Sequence, residues 1–320
     1  MKRVCVKAPI NIALIKYWGK KDEHEVLPFN PSISLSLDLY HTITTLEENP
    51  EKGLHFTING QEDAKTKAKV HQFLKLFTDD NTLNLTVITH NTGPTAAGLA
   101  SSASAFAALA LAAQHYFGTP KDFQSLARLT KKGSGSAIRS LLGGCVEWQT
   151  NGEIRPLDWP FDDVVLGVIV LFDGVKSIGS TEAMKQTVQT APSYAAWVQR
   201  AHEDAVKFKH ALDQNDFSSL GLIAEENALA MHTVCADAKP PIHYLTQASK
   251  TLIEAVKVAR EHGLFEAYCT MDAGPNVKLI HRENESQKIK RWLKAHGWPE
   301  MLVSRVAQKG AVLCEQNTHS

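Results

Sequence analysis

The spacing of apolar and polar positions changes along this chain and divides it into two parts. In the first, short β-branched or alternating runs predict strands at Val4–Val6, Ile33–Leu39, His41–Leu46, Leu54–Ile58 and Leu83–Thr89. Asn59-Gly60 and Asn151-Gly152 are dipeptides that favour type I′ turns, and the second joins Cys145–Trp148 to Ile154–Leu157 as a hairpin. Val164 to Phe172 is an unbroken apolar run of the kind that becomes a buried central strand. From Tyr194 onward the period lengthens. Trp197, Ala201, Ala205, Phe208 and Leu212 recur at steps of three and four, which predicts an amphipathic helix. Further helices are predicted from Phe217 to Met231 and from about Thr246 to His262, with Gly263 as terminator. Strands return at Ala267–Met271 and Ala311–Glu315. A strand-rich part, residues 1–185, thus precedes a helix-rich part, residues 186–320, closed by strands. Strands and helices mixed in this way predict the α/β (α+β) class.

Composition narrows the function classes. With 43% hydrophobic residues the chain can bury a large core, and its 34 basic residues offset 34 acidic ones. No global field attracts a polyanion, so nucleic acid is not an expected partner. Lys7 and Lys16 interrupt any apolar leader, and the weakly apolar Ala103–Ala113 run is too short to span a bilayer. No membrane partner is expected. Cys5, Cys145, Cys235, Cys269 and Cys314 are scattered and form no CxxC pair, which predicts a reducing, cytoplasmic setting without disulfides or structural zinc. The histidines show no HxxxH array, and His232 is expected to be a packed residue rather than a ligand.

The first chemical candidate is Pro94-Thr-Ala-Ala-Gly98-Leu99-Ala100-Ser101-Ser102-Ala103, between a predicted strand and an Ala-rich helix. Small residues let an anion approach the backbone N–H groups, and the helix N-terminus adds its positive dipole. Ser101, Ser102 and Ser104 offer hydroxyls to phosphate oxygens or to magnesium. The loop is neither a Walker motif nor a dinucleotide GxGxxG. On residue types alone, a Gly/Ser helix start ahead of a packed Ala helix explains it equally well. The ordered pattern Pro-x3-Gly-Leu-x-Ser-Ser-Ala, however, resembles the ATP loop of the GHMP kinase superfamily.

Three more segments carry chemistry. Tyr17-Trp18-Gly19-Lys20, at the end of Ala8-Pro9-Ile10-Asn11-Ile12-Ala13-Leu14-Ile15-Lys16, brings an ammonium and a phenol together, suited to a diphosphate. The plain alternative for Lys20 is a solvated charge. Gly133-Ser134-Gly135-Ser136-Ala137-Ile138-Arg139 places hydroxyls and amides ahead of a guanidinium, which can grip a carboxylate with two parallel bonds. A helix cap with a surface Arg is the alternative. Asp272 precedes Ala273-Gly274-Pro275-Asn276 at a strand end, as either a turn-capping acid or a carboxylate fixed beside a substrate hydroxyl.

Together with the phosphate loop, these segments resemble the diphosphomevalonate decarboxylase family over nearly the whole chain. The resemblance implies a two-domain GHMP-kinase fold, with an N-terminal ribosomal-protein-S5-like domain and a C-terminal ferredoxin-like domain. It implies ATP and Mg2+ as cofactors, 5-diphosphomevalonate as the small-molecule substrate, and a homodimer. By the same resemblance Asp272, Arg139, Ser101 and Lys20 are catalytic. Tyr17, Trp18, Gly19, Lys20, Ser134, Gly135, Ser136, Ala137, Ile138 and Arg139 bind substrate. Pro94, Ala96, Ala97, Gly98, Leu99, Ala100, Ser101 and Ser102 bind nucleotide, with Ser102 the candidate Mg2+ contact. Asn11 and Lys16 are lesser candidates for the polar wall, as is Lys69 for a role near Val70. Ser180-Thr181 resembles a family segment near the diphosphate, but Glu182-Ala183 departs from it. The Lys131-Lys132 pair is expected to be a solvated helix end.

Overall fold

The computed structural model describes residues 2–79, 82–93, 101–120, 122–172, 174 and 177–315. The chain begins with β1 (Arg3–Ile15), a short β2 (Lys20–Asp22) and β3 (Leu27–Pro28), then β4 (Ser32–Glu48), β5 (Leu54–Ile58), α1 (Ala64–Leu74) and β6 (Leu85–Asn91). It continues through α2 (Ser101–Phe117), α3 (Phe123–Gly133), α4 (Ala137–Leu142), β7 (Cys145–Trp148), β8 (Ile154–Leu157) and β9 (Val164–Ile169). Next come α5 (Ser180–Thr190), α6 (Tyr194–Asp213), α7 (Phe217–Ala236) and α8 (Gln247–Glu261). The chain closes with β10 (Ala267–Thr270), β11 (Val277–Arg282), α9 (Ser286–Ala295), β12 (Met301–Ser304) and β13 (Val312–Leu313).

β1 runs well past the predicted Val4–Val6 because its second half is buried on both faces, where a strand loses the alternation that marks it. β4 joins two predicted strands. Its register against β1 pairs Ile10 with Leu37 but Pro9 with His41, so the interruption near Tyr40 is a bulge opposite a proline. Asn59 and Gly60 both have positive φ, 51° and 78°, as a type I′ turn requires. At Asn151-Gly152 the hairpin forms, but the turn differs from expectation. Only Gly152 has positive φ, and Gln149 N–H bonds the Glu153 carbonyl at 2.8 Å, giving a wider loop. α1, α5 and α9 escaped the hydrophobic pattern because each buries a narrow stripe, such as Ile289 and Leu293 on α9.

Among the described residues, seven strands form one sheet in the order β13-β1-β4-β6-β5, with β7 and β8 added alongside β4. The second sheet runs β10-β11-β9-β12, antiparallel throughout. Counted in chain order from β12 this is 4-1-3-2, the ferredoxin-like arrangement expected of the carboxy-terminal part. Its strand β9 lies before residue 185 yet belongs to this sheet by hydrogen bonding. One core spans both sheets: Ile12, Leu14, Ile33 and Leu35 pack in the same cluster as Leu166, Val168, Phe208 and Leu220. No helix of the described residues is long and apolar enough to cross a membrane.

The expectation of unpaired cysteines is corrected for one pair. Cys5 and Cys314, 309 positions apart, form a disulfide with Cα atoms 5.3 Å apart, while Cys145, Cys235 and Cys269 are free and buried. No local spacing signals a pair so far separated. The carboxy-terminal segment that carries Cys314 also braces α4. Ala307 N–H bonds Ser36 O at 2.8 Å, Gly144 N–H bonds Ala307 O at 2.7 Å, and Ala311 N–H bonds Leu141 O at 3.2 Å.

This close approach sets the glycines at the end of α4. Gly143 has φ 82° and ψ 175°, a region open essentially to glycine, and a Cβ there would strike the Gly310 backbone. Gly144, at φ 65°, faces open space. Gly144→Ala should therefore cost about 1 kcal/mol, and Gly143→Ala about 3 kcal/mol or more, compared by urea unfolding.

Candidate active site

Lys16 follows the last residue of β1, so its direction is set by the half of that strand buried on both faces. Its ammonium donates to the Ala13 carbonyl at 2.7 Å and to Asp272 Oδ1 at 3.0 Å. Its backbone is held from the other half of the chain. Lys16 N–H bonds Asn227 Oδ1 at 2.8 Å, Asn227 in turn donates to Asp204 at 2.9 Å, and Asn30 donates to the Lys16 carbonyl at 2.7 Å. An ion pair therefore bridges the two sheets. Asp272 is fixed by its own hairpin: Gly274 N–H turns back onto the Asp272 carbonyl at 2.7 Å, and Ser249 Oγ donates to the Pro275 carbonyl at 2.6 Å. Asn276 accepts from the Leu171 and Phe172 amides, which ties the turn to the end of β9.

A second lysine, not singled out by any motif, completes the group. Lys278 Nζ donates to Asp272 Oδ2 at 3.3 Å, and both lysine side chains are 2% exposed. Burial alone pushes the Asp272 carboxyl up, but the Lys16 and Lys278 ammoniums overcome it and hold it well below the usual carboxylate range. Burial lowers Lys16 to about 8, with Asp272 opposing and Lys278 and Arg139 assisting. The signal for Lys278 was a lysine set between Val277 and Leu279-Ile280, in a strand buried at every position but the last.

Arg139 points from α4 and is 5% exposed. Its Nη1 donates to Ser32 Oγ at 3.2 Å, while its Nε has no hydrogen-bond partner and no carboxylate pairs with it among the described residues. Burial lowers it to about 10, opposed by Asp272, so the expected guanidinium and acid do share one electrostatic environment. Asn11 proves to be a bracket for this helix, donating to Ser140 Oγ at 2.7 Å and to the Ser136 carbonyl at 3.3 Å. Ser32, Ser34 and Ser36 line a buried face of β4 toward Arg139. Their strict alternation with Ile33 and Leu35 was the available signal.

Tyr17 packs at a tilt of 56° against Trp148 with ring centroids 4.8 Å apart, and its hydroxyl is buried without a partner among the described residues. A Cβ on Gly135 would lie 3.2 Å from that hydroxyl, so the Ser134–Ser136 bend and Tyr17 face one another. Ser134 and Ser136 hydroxyls sit 3.2 Å apart, both half-buried. Ala137 and Ile138 point into the core, and the Ala137 amide is already used by the Ser134 carbonyl at 2.9 Å. Trp18 is 2% exposed and packs among the helices, its carbonyl accepting from Tyr194 Oη at 2.8 Å. Gly19 adopts φ 106° where a Cβ would strike Tyr194. Lys20 lies on β2 and pairs with Glu23 at 2.8 Å, apart from the Asp272 group.

His232, expected to be packed, is 8% exposed, and burial beside Lys16 and Lys278 lowers it to about 3, so it stays neutral. Its Nε2 has no partner among the described residues. Lys131 departs from the expected solvated helix end, being 6% exposed. Lys69 and the Ser180-Thr181 pair are exposed on α1 and α5.

Of the nucleotide candidates, Pro94, Ala96, Ala97, Gly98, Leu99 and Ala100 lie outside the described residues, as does the Ser101 side chain. Ser102 is exposed in the first turn of α2, a turn without acidic residues, which suits an anion and its counter-ion. Ser104 turns inward instead, its Oγ 2.7 Å from Thr42 Oγ1. No group of three or more His, Cys, Asp or Glu that could hold a metal occurs among the described residues.

Comparisons with known proteins place the chain among its relatives. Residues 8–155 match the family described as diphosphomevalonate decarboxylase-like N-terminal domain, and residues 166–318 match the mevalonate 5-diphosphate decarboxylase C-terminal domain. The diphosphomevalonate decarboxylase of Candida albicans is 33% identical over an alignment covering 96% of each chain. The crystal structure of mevalonate diphosphate decarboxylase from Staphylococcus aureus superposes with a TM-score of 0.91 at 34% identity, covering 98% of each chain. A structure of MDDEF in complex with MVAPP, AMPPCP and magnesium superposes with a TM-score of 0.90 at 35% identity, again covering 98% of each. These likenesses bear out the two-domain α/β architecture.

A buried cation with an unpaired donor costs free energy until an anion arrives. Arg139→Met should therefore stabilise the ligand-free protein by about 1–4 kcal/mol, seen as a higher urea midpoint. A lower midpoint would mean that Arg139 is already compensated.

Proposed function

Because the chain belongs to the diphosphomevalonate decarboxylase family, we propose that its buried charge group carries out the family reaction with the division of roles set out here. The protein uses ATP and Mg2+ to convert (R)-5-diphosphomevalonate to isopentenyl diphosphate, ADP, phosphate and CO2, in the mevalonate pathway of isoprenoid biosynthesis. The observation that carries the reading is one ionised carboxylate set between two buried ammoniums, near a buried guanidinium with a free donor.

The chemical problem is a β-hydroxy acid with no carbonyl to accept the electrons of the departing carboxylate. Phosphorylation of the tertiary 3-hydroxyl by ATP converts it to a leaving group. As phosphate departs, positive charge develops at C3, and the C1–C2 bonding electrons form the new double bond while C1 leaves as CO2. Asp272, ionised at any working pH, accepts a hydrogen bond from the 3-hydroxyl and later stabilises the cationic carbon. A carboxylate held so far down is a weak base. Its strength lies in orientation and charge: the Lys16 ammonium holds Oδ1 in place, and the alcohol proton passes to the carboxylate only as the new O–P bond forms.

Arg139 grips the C1 carboxylate, and its partnerless Nε supplies the second arm of a two-bond fork. Tyr17 Oη and the facing Ser134 and Ser136 hydroxyls take the diphosphate end, with Lys20 the cation of that region. The 94–102 segment takes the nucleotide phosphates. Mg2+ would neutralise charge on the transferring phosphoryl group, with the Ser102 hydroxyl as the protein contact. A cytoplasmic homodimer is the form that the family resemblance supports.

Mevalonate, its 5-phosphate and its 5-diphosphate, offered separately, should release CO2 in step with ADP only for the diphosphate. ADP without CO2 would indicate a kinase of the same fold. Asp272→Asn should lower kcat roughly 1,000-fold and leave KM within a few fold. Arg139→Lys, a point charge in place of a fork, should cost on the order of 100-fold in kcat/KM.

A further inference from the structure

Lys278 sits where a lysine is hardest to keep. β11 is bonded on one side to β10 and on the other to β9, and Lys278 faces Thr270 and Val168 across them. The residue is 1% exposed, and its ammonium bonds Asp272, a carboxylate already shared with Lys16. Methionine fills nearly the same space without a charge to desolvate, so the needs of the core do not explain a lysine here.

Its covalent position supplies the explanation. Lys278 and Asp272 flank one hairpin turn, and that turn is clamped by Asn276 to the end of β9 and by Ser249 to α8. Lys16, by contrast, reaches Asp272 from the other sheet. A carboxylate held by Lys16 alone would follow every shift between the sheets. Held also by Lys278, it keeps its orientation relative to its own hairpin.

We propose that Lys278 is a positioning residue for the decarboxylation: it pins Oδ2 of Asp272 so that Oδ1, with Lys16, is the oxygen presented to the 3-hydroxyl. The proposal rests on the role given to Asp272 above. The charged and titratable groups around Asp272 are Lys16 at the end of β1, Arg139 on α4, His232 on α7 and Lys278 on β11. His232 stays neutral, and Arg139 stays charged.

Lys278 lowers both Asp272 and Lys16, so its charge leaves a signature that packing alone would not. Asp272 must be ionised and Lys16 protonated for turnover. Removing the Lys278 charge raises Lys16 from about 8 and moves the alkaline limb of the kcat/KM profile to higher pH.

The test compares wild type with Lys278→Met, Lys278→Gln and Lys278→Arg, measuring CO2 and ADP across pH together with thermal unfolding. The two neutral variants should fold, lose about 100-fold in kcat with KM within a few fold, and shift the alkaline limb upward. Lys278→Arg should recover most of the kcat and the wild-type limb. Near-normal kcat with an unmoved limb in either neutral variant overturns the proposal. So does a loss that tracks the folded fraction, or one that arginine fails to relieve. Wild-type ADP formation without CO2 would instead remove the decarboxylase reading, and the limb comparison through ADP would still judge Lys278.

Discussion

Much of this structure depends on an excess of buried positive charge around one carboxylate. Lys16, Lys278 and Arg139 are each almost wholly removed from water, and Asp272 is the acid that answers them. The chain as a whole carries no net charge, so this is a local arrangement rather than a property of the surface. Desolvating ammonium and guanidinium groups is expensive, and one shared carboxylate does not balance three cations. The remainder is an affinity for anions stored in the free protein. On the function proposed above, a substrate with a carboxylate at one end and a diphosphate at the other supplies what is missing.

The fold concentrates its rigidity where that storage needs it. Lys16 ends a strand buried on both faces, and Asp272 and Lys278 flank a turn clamped from β9 and α8. Arg139 sits on a helix of only six residues, too short to hold a position by itself. Asn11 from β1 and the returning carboxy-terminal segment brace it from two sides. The common core beneath both sheets means that the two parts of the site cannot drift apart without opening apolar contacts. Preorganisation of this kind matters for a reaction whose charge appears only in transit, because groups already in place need no rearrangement when C3 becomes cationic.

Several site residues were legible because chemistry and local pattern coincide in them. The Gly/Ser bend ahead of Arg139, the acid before Ala273-Gly274-Pro275-Asn276 and the Tyr17 segment announce themselves by residue type and order. The ferredoxin-like sheet was implied by resemblance, although β11 and β12 give little periodic signal of their own. Other features were hidden for identifiable reasons. β1 was read short because double burial erases alternation, and α9 was missed because its buried stripe is narrow. The Cys5–Cys314 pair was read as two free thiols because a contact between the two ends of a chain leaves no trace in local spacing.

The amino-acid sequence by itself determined the mixed strand-and-helix class, the family of chemistry and most members of the candidate site, since these depend on short-range propensity and on residue type. Only the tertiary structure decided which charges share a carboxylate. Lys16 meets Asp272 across 256 positions, and Lys278 became part of the site through the register of a hairpin, not through any motif. The state of each group followed from that meeting. A lysine brought to about 8 and an aspartate kept ionised are consequences of burial and of neighbours, and neighbours exist only once the chain has folded.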